Sequence, residues 1–337
     1  MPYRLRLLEG GGRLAVMGQW LVAVSVLLAL SGACVQPDQP DQPRIVVGVG
    51  STTEQRVLAA LTVAVLSDAG MATEVESDLG GTVGLRRAAI SSDIDIFWDY
   101  TGAAWSLGMG QQAPPSDPEE SFQRVSLADE RNGLTWLPPS GANATLALFV
   151  RRGDLPPQDR PRGLSWLAGV LSAGDRHLCA DAEFITRSGG LEALASAYAI
   201  DLERLTGASI AASEQAAIDG VASRRCFAAL ATATSGEARL KGLVPVTDDL
   251  MVFPAFTVAP VARTQRLEAV PELATVVETL TRTVDTAALA ALNAQVENGR
   301  DPARVAEEFL DEIPDRISGR AALEQLFAVS GEAASQK

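Results

Sequence analysis

The sequence predicts an α/β protein built on mostly parallel sheets with helices on their faces. Two observations carry the prediction. From Ile45 to Tyr100, short apolar runs of strand length alternate with capped helical segments, the order that a parallel sheet requires. With 47% hydrophobic and 21% charged residues, the chain can bury a core. Its 337 residues allow two domains, or one with appendages.

The elements follow in order. Ile45-Val46-Val47-Gly48 reads as a buried strand. Ser51-Thr52-Thr53-Glu54-Gln55 then offers two overlapping capping boxes, Ser51 with Glu54 and Thr52 with Gln55, ahead of an apolar helix to about Asp68. A strand is expected over 72–75, a helix from Gly80-Gly81-Thr82 to about Ile90, and a strand over 94–100. Ligands bind such sheets beyond the carboxyl ends of the strands, where the loops at 48–55 and 99–103 fall. Residues 111–120 read as a surface excursion and 145–150 as a strand. The stretch 164–230 is expected to be mainly helical, with strands returning between 243 and 261. Three helices close the chain, over 271–282, 286–296 and 302–312, the last capped by Asp301 with Pro302 at its first position.

The formal net charge is −14, which argues against nucleic acid as a partner. Residues 1–33 carry Arg4, Arg6 and Arg13 against Glu9, a net +2, leaving −16 for the rest. One histidine, His177, and three cysteines argue against a multi-histidine metal site or a histidine-based triad.

The basic start, the charge-free run over 20–30 and the small residues Ser31, Gly32 and Ala33 read as a signal peptide over 1–33. Cys34 follows directly, an arrangement that resembles the bacterial lipobox, in which that cysteine receives a lipid. The position usually held by Leu is Ser31 here, so a plain signal peptide or an uncleaved anchor is the alternative. Residues 34–43, with the Pro/Asp/Gln repeat VQPDQPDQP, read as a solvated tether. Cys179 and Cys226 remain. They are either one disulfide or two buried thiols, and an extracytoplasmic location favours the disulfide.

The ordered motifs resemble the substrate-binding proteins of osmoprotectant ABC transporters, the glycine betaine, choline and quaternary-ammonium type. The family pattern V-G-S-K-N-F-T-E-Q aligns on residues 47–55. L-G-G-T…R aligns on Leu79-Gly80-Gly81-Thr82 and Arg86, and I-D-x-x-x-E-Y-T-G-T on Ile94-Asp95 and Asp99-Tyr100-Thr101-Gly102-Ala103. G-L-x-W-L-P followed by N-N-T-Y-A-L aligns on 133–138 and 143–148, F-x-x-R on Phe184 and Arg187, and the late D-D…F-P-P-Y…A-P-V-V-R on 248–263. The tail motif includes Leu292-Asn293. The resemblance spans about 44–313.

That resemblance implies a two-lobed type II periplasmic-binding fold. Lobe 1 would be 44–146 plus 251–330 and lobe 2 would be 147–250, with ligand in the cleft between them. It implies an extracytoplasmic solute-binding protein, lipid-anchored to the cell membrane, that delivers its solute to an ABC permease without catalysis or cofactor. The alternatives are the same fold binding another small cationic metabolite, or a sensor or scaffold. The family's four cage tyrosines fall on Tyr100, Leu146, Thr232 and Phe256, so two aromatic faces remain. The position that biases ligand choice is Ala103, the family's Lys or Gln after G-S falls on Gly50, and the carboxylate-binding arginine is Arg187. Ser51, Thr53 and Thr82 are further ligand-contact candidates that also serve as capping or helix-start residues. Glu54 reads as a capping-box partner before a cation ligand. Losing two aromatic faces forfeits roughly 1–4 kcal/mol for a trimethylammonium group, about ten- to a thousandfold in affinity. Weak or absent glycine betaine binding is therefore expected, with preference for a larger or less methylated solute that bears an anionic group.

Overall fold

The computed structural model describes residues 44–160, 162–173, 176–187, 189–202, 210–312 and 319–324. The expected signal peptide over 1–33, Cys34 and the expected tether over 34–43 lie outside the described residues. No helix among the described residues is long and apolar enough to cross a membrane.

Among the described residues, ten strands form two five-stranded sheets. In chain order they are β1 (Ile45–Gly48), β2 (Thr73–Glu76), β3 (Ile96–Tyr100), β4 (Leu134–Trp136), β5 (Leu146–Arg151), β6 (Leu178–Asp181), β7 (Ile210–Ala211), β8 (Ala228–Thr232), β9 (Leu243–Val246) and β10 (Val258–Arg263). The first sheet has the order β2-β1-β3-β10-β4 and the second β7-β6-β8-β5-β9. Both are mixed. In the first, β1 runs parallel to β2 and β3, whereas β10 runs antiparallel to β3 and β4. In the second, β6 runs parallel to β7 and β8, whereas β5 runs antiparallel to β8 and β9. The sheets are thus less parallel than the β-α alternation predicts. The reason is topological: β5 is the strand by which the chain enters the second sheet and β10 the strand by which it re-enters the first, and each runs against the strands that flank it.

The chain leaves the first sheet after β4 and rejoins it at β10. These two crossings run side by side. Asn143 and Thr257 form an antiparallel bridge, and the Asn143 side-chain oxygen accepts a hydrogen bond from the Phe256 N–H at 2.8 Å. Asn143, whose sequence pattern also fits a glycosylation acceptor, is instead a fastener between the crossings.

Each sheet packs helices against its own core. Leu58, Leu61 and Val65 of the Thr53–Asp68 helix are fully buried against Val47 and Ile96, with Leu273, Val276 and Leu280 of the Glu272–Thr281 helix beside them. Around the second sheet, Leu148, Val150 and Leu230 meet Leu167 and Phe184. The segment 164–230 corrects its expectation: β6, β7 and β8 interrupt the helices. Ala228-Ala229-Leu230-Ala231 favours a helix by propensity, yet all four residues are buried in β8, at the centre of the sheet. Burial among neighbouring strands overrides a preference of a few tenths of a kcal/mol per residue.

Cys179 in β6 and Cys226, just ahead of its parallel neighbour β8, are joined by a disulfide with Cα atoms 5.8 Å apart. Beneath the end of β3 lies a buried ionic group. Arg86 grips Asp129 with two bonds of 2.8 and 2.5 Å and lies 3.5 Å from Asp99. Thr82 and the Tyr100 N–H donate to Asp99 at 2.8 and 2.9 Å.

Candidate functional site

The site is built first by the choice between two capping boxes. Thr52, not Ser51, is the N-cap of the Thr53–Asp68 helix. Its hydroxyl accepts from the Gln55 N–H at 3.1 Å, and Gln55 returns the bond to the Thr52 N–H at 3.3 Å. That register corrects the expected role of Glu54. Released from capping, its carboxylate accepts from Asn293 Nδ2 at 2.7 Å, with Thr234 and the Tyr100 hydroxyl as further polar neighbours that favour its charged form. Burial pushes its pKa up, the hydrogen bonds pull it back, and Glu214 pushes it up further. The Tyr100 hydroxyl is held well above the usual phenol range by burial and by the charge of Glu54.

Tyr100 stands at the carboxyl end of β3, where a short turn through Thr101, Gly102 and Ala103 begins. Gly102 sets the position of Phe256. A Cβ at that glycine would come within 2.6 Å of the Phe256 ring and 2.8 Å of the Ala255 carbonyl, so the absent side chain lets the ring lie against the turn.

Two adjoining cavities of about 340 Å³ each meet here. The first is lined by Thr53, Glu54, Tyr100, Ala103, Thr232 and Phe256 together with Glu214, Thr234, Asn293 and Glu297. The second is lined by Leu146, Arg187, Thr232 and Phe256, among others. Thr232 and Phe256 form their common wall. Elements of both sheets contribute: Tyr100 ends β3, Leu146 begins β5 and Thr232 ends β8. Leu146 and Thr232 are register partners across β5 and β8. The exposed Arg187, which lines the second cavity, lies with its guanidinium 5.6 Å from the ring centre of Phe184, which is buried in the core of the second sheet.

Seven of the nine predicted ligand residues thus converge: Tyr100, Thr53, Ala103, Phe256, Thr232, Leu146 and Arg187. Two do not, and both are corrections. Thr82 is 6% exposed and spends its hydroxyl on Asp99. Ser51 lines neither cavity, and its carbonyl accepts from Arg56 at 3.0 Å. Trp98 and Trp105 also stay out of the cleft. The Trp98 indole donates to Thr62 in the core at 2.8 Å, and that of Trp105 donates to the Gln112 carbonyl at 3.1 Å.

Sequence reasoning missed Glu214, Glu297, Asn293 and Thr234 as lining residues. One signal was present. Glu297 closes the Thr286–Glu297 helix, and an acid in the last turn opposes the helix dipole.

Two mixed sheets joined by paired crossings, with an aromatic and acidic cleft fed by both, define a solute-binding protein of the type II periplasmic-binding class. The chain belongs to the family described as the substrate-binding domain of ABC-type glycine betaine transport systems, whose model matches residues 43–312. It is 32% identical over 279 residues to a glycine-betaine-binding protein of Pseudomonas aeruginosa, covering 79% of this chain and 86% of that one. It is 30% identical over 298 residues to the glycine betaine-binding protein YehZ of Escherichia coli, covering 86% and 96%. The solved structure of apo YehZ superimposes with a TM-score of 0.73 at 28% identity, covering 80% of this chain and 98% of that one.

Proposed function

We propose that this protein captures a small organic-ammonium solute, of the quaternary-ammonium or related zwitterionic class, and hands it to a membrane permease. One observation carries the reading. Tyr100 and Phe256 face one cavity whose acidic lining, Glu54 and Glu214, comes from elements flanking different sheets. Aromatic faces hold a cation by about 0.5–2 kcal/mol each when desolvated, and ligand contacts to both lobes favour closure. Arg187 at the neighbouring cavity is the donor fork for an anionic end of a longer solute. Lobe 1 comprises 44–146 and 251–330, and lobe 2 comprises 147–250. No bond is made or broken in the cleft; capture and release are the whole task. Two features of the sequence, the apolar leader and the Pro-rich tether around Cys34, support a lipid-anchored, extracytoplasmic location; the intact mass of the native protein would then show a diacylated Cys34 and no residues 1–33.

Calorimetric titration with glycine betaine, choline and carnitine tests the reading. At least one should bind. Tyr100→Phe keeps the aromatic face and should cost less than tenfold, whereas Tyr100→Ala should abolish binding without lowering the melting temperature by more than a few degrees. Equal affinity of wild type and Tyr100→Ala would refute the site.

A further inference from the structure

The first cavity carries more negative charge than a zwitterion requires. Glu54, Glu214 and Glu297 line it, and no Arg, Lys or His among the described residues does. Glu237 adds to the group from the adjacent cavity, which it lines together with Glu214 and Glu297. Two cations lie nearby: Arg56, which lines that adjacent cavity, and Lys241, which pairs with Glu237 and offsets its charge. Arg56 bonds the Ser51 carbonyl and the Thr53 hydroxyl at 3.0 Å each. Lys241 sits between Asp219 and Glu237 at 3.4 and 3.5 Å. Partial burial and the charges of Glu237, Glu214 and Glu54 hold Glu297 above the usual carboxylate range.

The carboxylates come from elements flanking both sheets. Glu54 and Glu297 belong to the Thr53–Asp68 and Thr286–Glu297 helices. Glu214 opens the Glu214–Ala222 helix beside the second sheet, and its carboxylate is set by the Thr232 N–H and hydroxyl at 3.0 and 2.8 Å. Like charges facing each other across a cleft oppose its closure until a cation lies between them.

A second, independent observation concerns hydrogen bonding. Asn293 lines the same cavity and is 3% exposed. Its amide nitrogen gives both hydrogens, to Glu54 Oε2 at 2.7 Å and to the Thr234 carbonyl at 3.0 Å. That fixes the amide orientation and leaves Oδ1 as an acceptor with no partner among the described residues. A buried acceptor without a donor costs free energy, and a fully methylated ammonium has no N–H to offer it.

We infer that the cleft takes a net-cationic solute that bears at least one N–H, a partly methylated or unmethylated ammonium, with Glu54, Glu214 and Glu297 supplying charge and Asn293 supplying an acceptor. This rests on the organic-ammonium reading above and, within it, sets aside the quaternary and zwitterionic members in favour of net-cationic ones that keep an N–H. A short zwitterion is disfavoured because its carboxylate must enter the same acidic cavity as its nitrogen.

The test is calorimetric titration of the full chain with matched pairs that differ by one N-methyl: choline against N,N-dimethylaminoethanol, and glycine betaine against N,N-dimethylglycine. The expected result is N,N-dimethylaminoethanol at least tenfold tighter than choline and tighter than either zwitterion. Glu297→Gln, at the exposed edge of the cleft, should lower that affinity about tenfold and leave the melting temperature unchanged. Choline binding as tightly as its N–H partner, or zwitterions binding best, overturns this inference and leaves ammonium capture standing. No binding of any of the four overturns this inference, and no binding of carnitine as well overturns both.

Discussion

Asp99 is the residue on which the site rests without facing it. It is fully buried behind Tyr100, bonded to Thr82 and to the Tyr100 N–H, and 3.5 Å from Arg86. Arg86 nevertheless spends its two short bonds on Asp129. Burial therefore wins over the arginine, and the Asp99 pKa is raised to about 6. The folded value lies above the unfolded one, so the proton is bound more tightly in the fold. Asp99 then contributes stability below about pH 4 that is lost as pH rises through about 6. The melting temperature of the wild type should accordingly fall relative to that of Asp99→Asn between pH 4.5 and 7.5. Parallel curves across that window would show that Arg86 keeps Asp99 an ordinary carboxylate. Single residues were unevenly legible in the sequence. Tyr100 and Phe256 were readable because their motifs are local. Glu54 was misread because two capping boxes overlap, and only the packed helix shows that Thr52 and Gln55 form the closed one.

At the scale of elements, one close approach ties the two sheets' helices together beside the cleft. Gly236 opens the Gly236–Leu240 helix, and a Cβ there would come 2.4 Å from the Ala294 backbone nitrogen and 2.5 Å from a Glu297 oxygen. Only a glycine lets this helix sit on the Thr286–Glu297 helix at that distance. Asn293 bridges the same junction, from Glu54 to the Thr234 carbonyl. Gly236→Ala should push the two helices apart and weaken solute binding by about tenfold or more. The loss should appear mainly in dissociation, with the separate cores intact by near-ultraviolet circular dichroism. Unchanged affinity would show that this contact is not part of the liganded state. Of the two helices at this junction, Thr286–Glu297 was readable from the sequence and Gly236–Leu240 was not; the next helix was readable together with its Asp301 cap, whose carboxylate accepts from the Ala303 and Arg304 N–H groups at 2.9 and 3.2 Å. Their meeting was not, because Gly236 and Ala294 lie far apart in sequence. The alanine-rich β8 was unreadable for another reason: its strand state depends on neighbours that local propensity does not contain.

For the whole molecule, the cleft exists because the chain crosses between sheets twice and the crossings lie side by side, fastened at Asn143, Phe256 and Thr257. The same crossings deliver Phe256 to the common wall of both cavities. On the proposed reading, the hinge and the ring that meets the solute share one loop, which would couple capture to closure. The measurement that bears most directly on this account is a crystal structure grown with the tightest binder among glycine betaine, choline, carnitine and their N–H relatives. The account predicts the solute nitrogen between the sheets, within about 6 Å of the ring centres of both Tyr100 and Phe256, with Glu54 and Glu214 on either side. A solute bound outside that cavity, or within it with its nitrogen turned away from both rings, would contradict it.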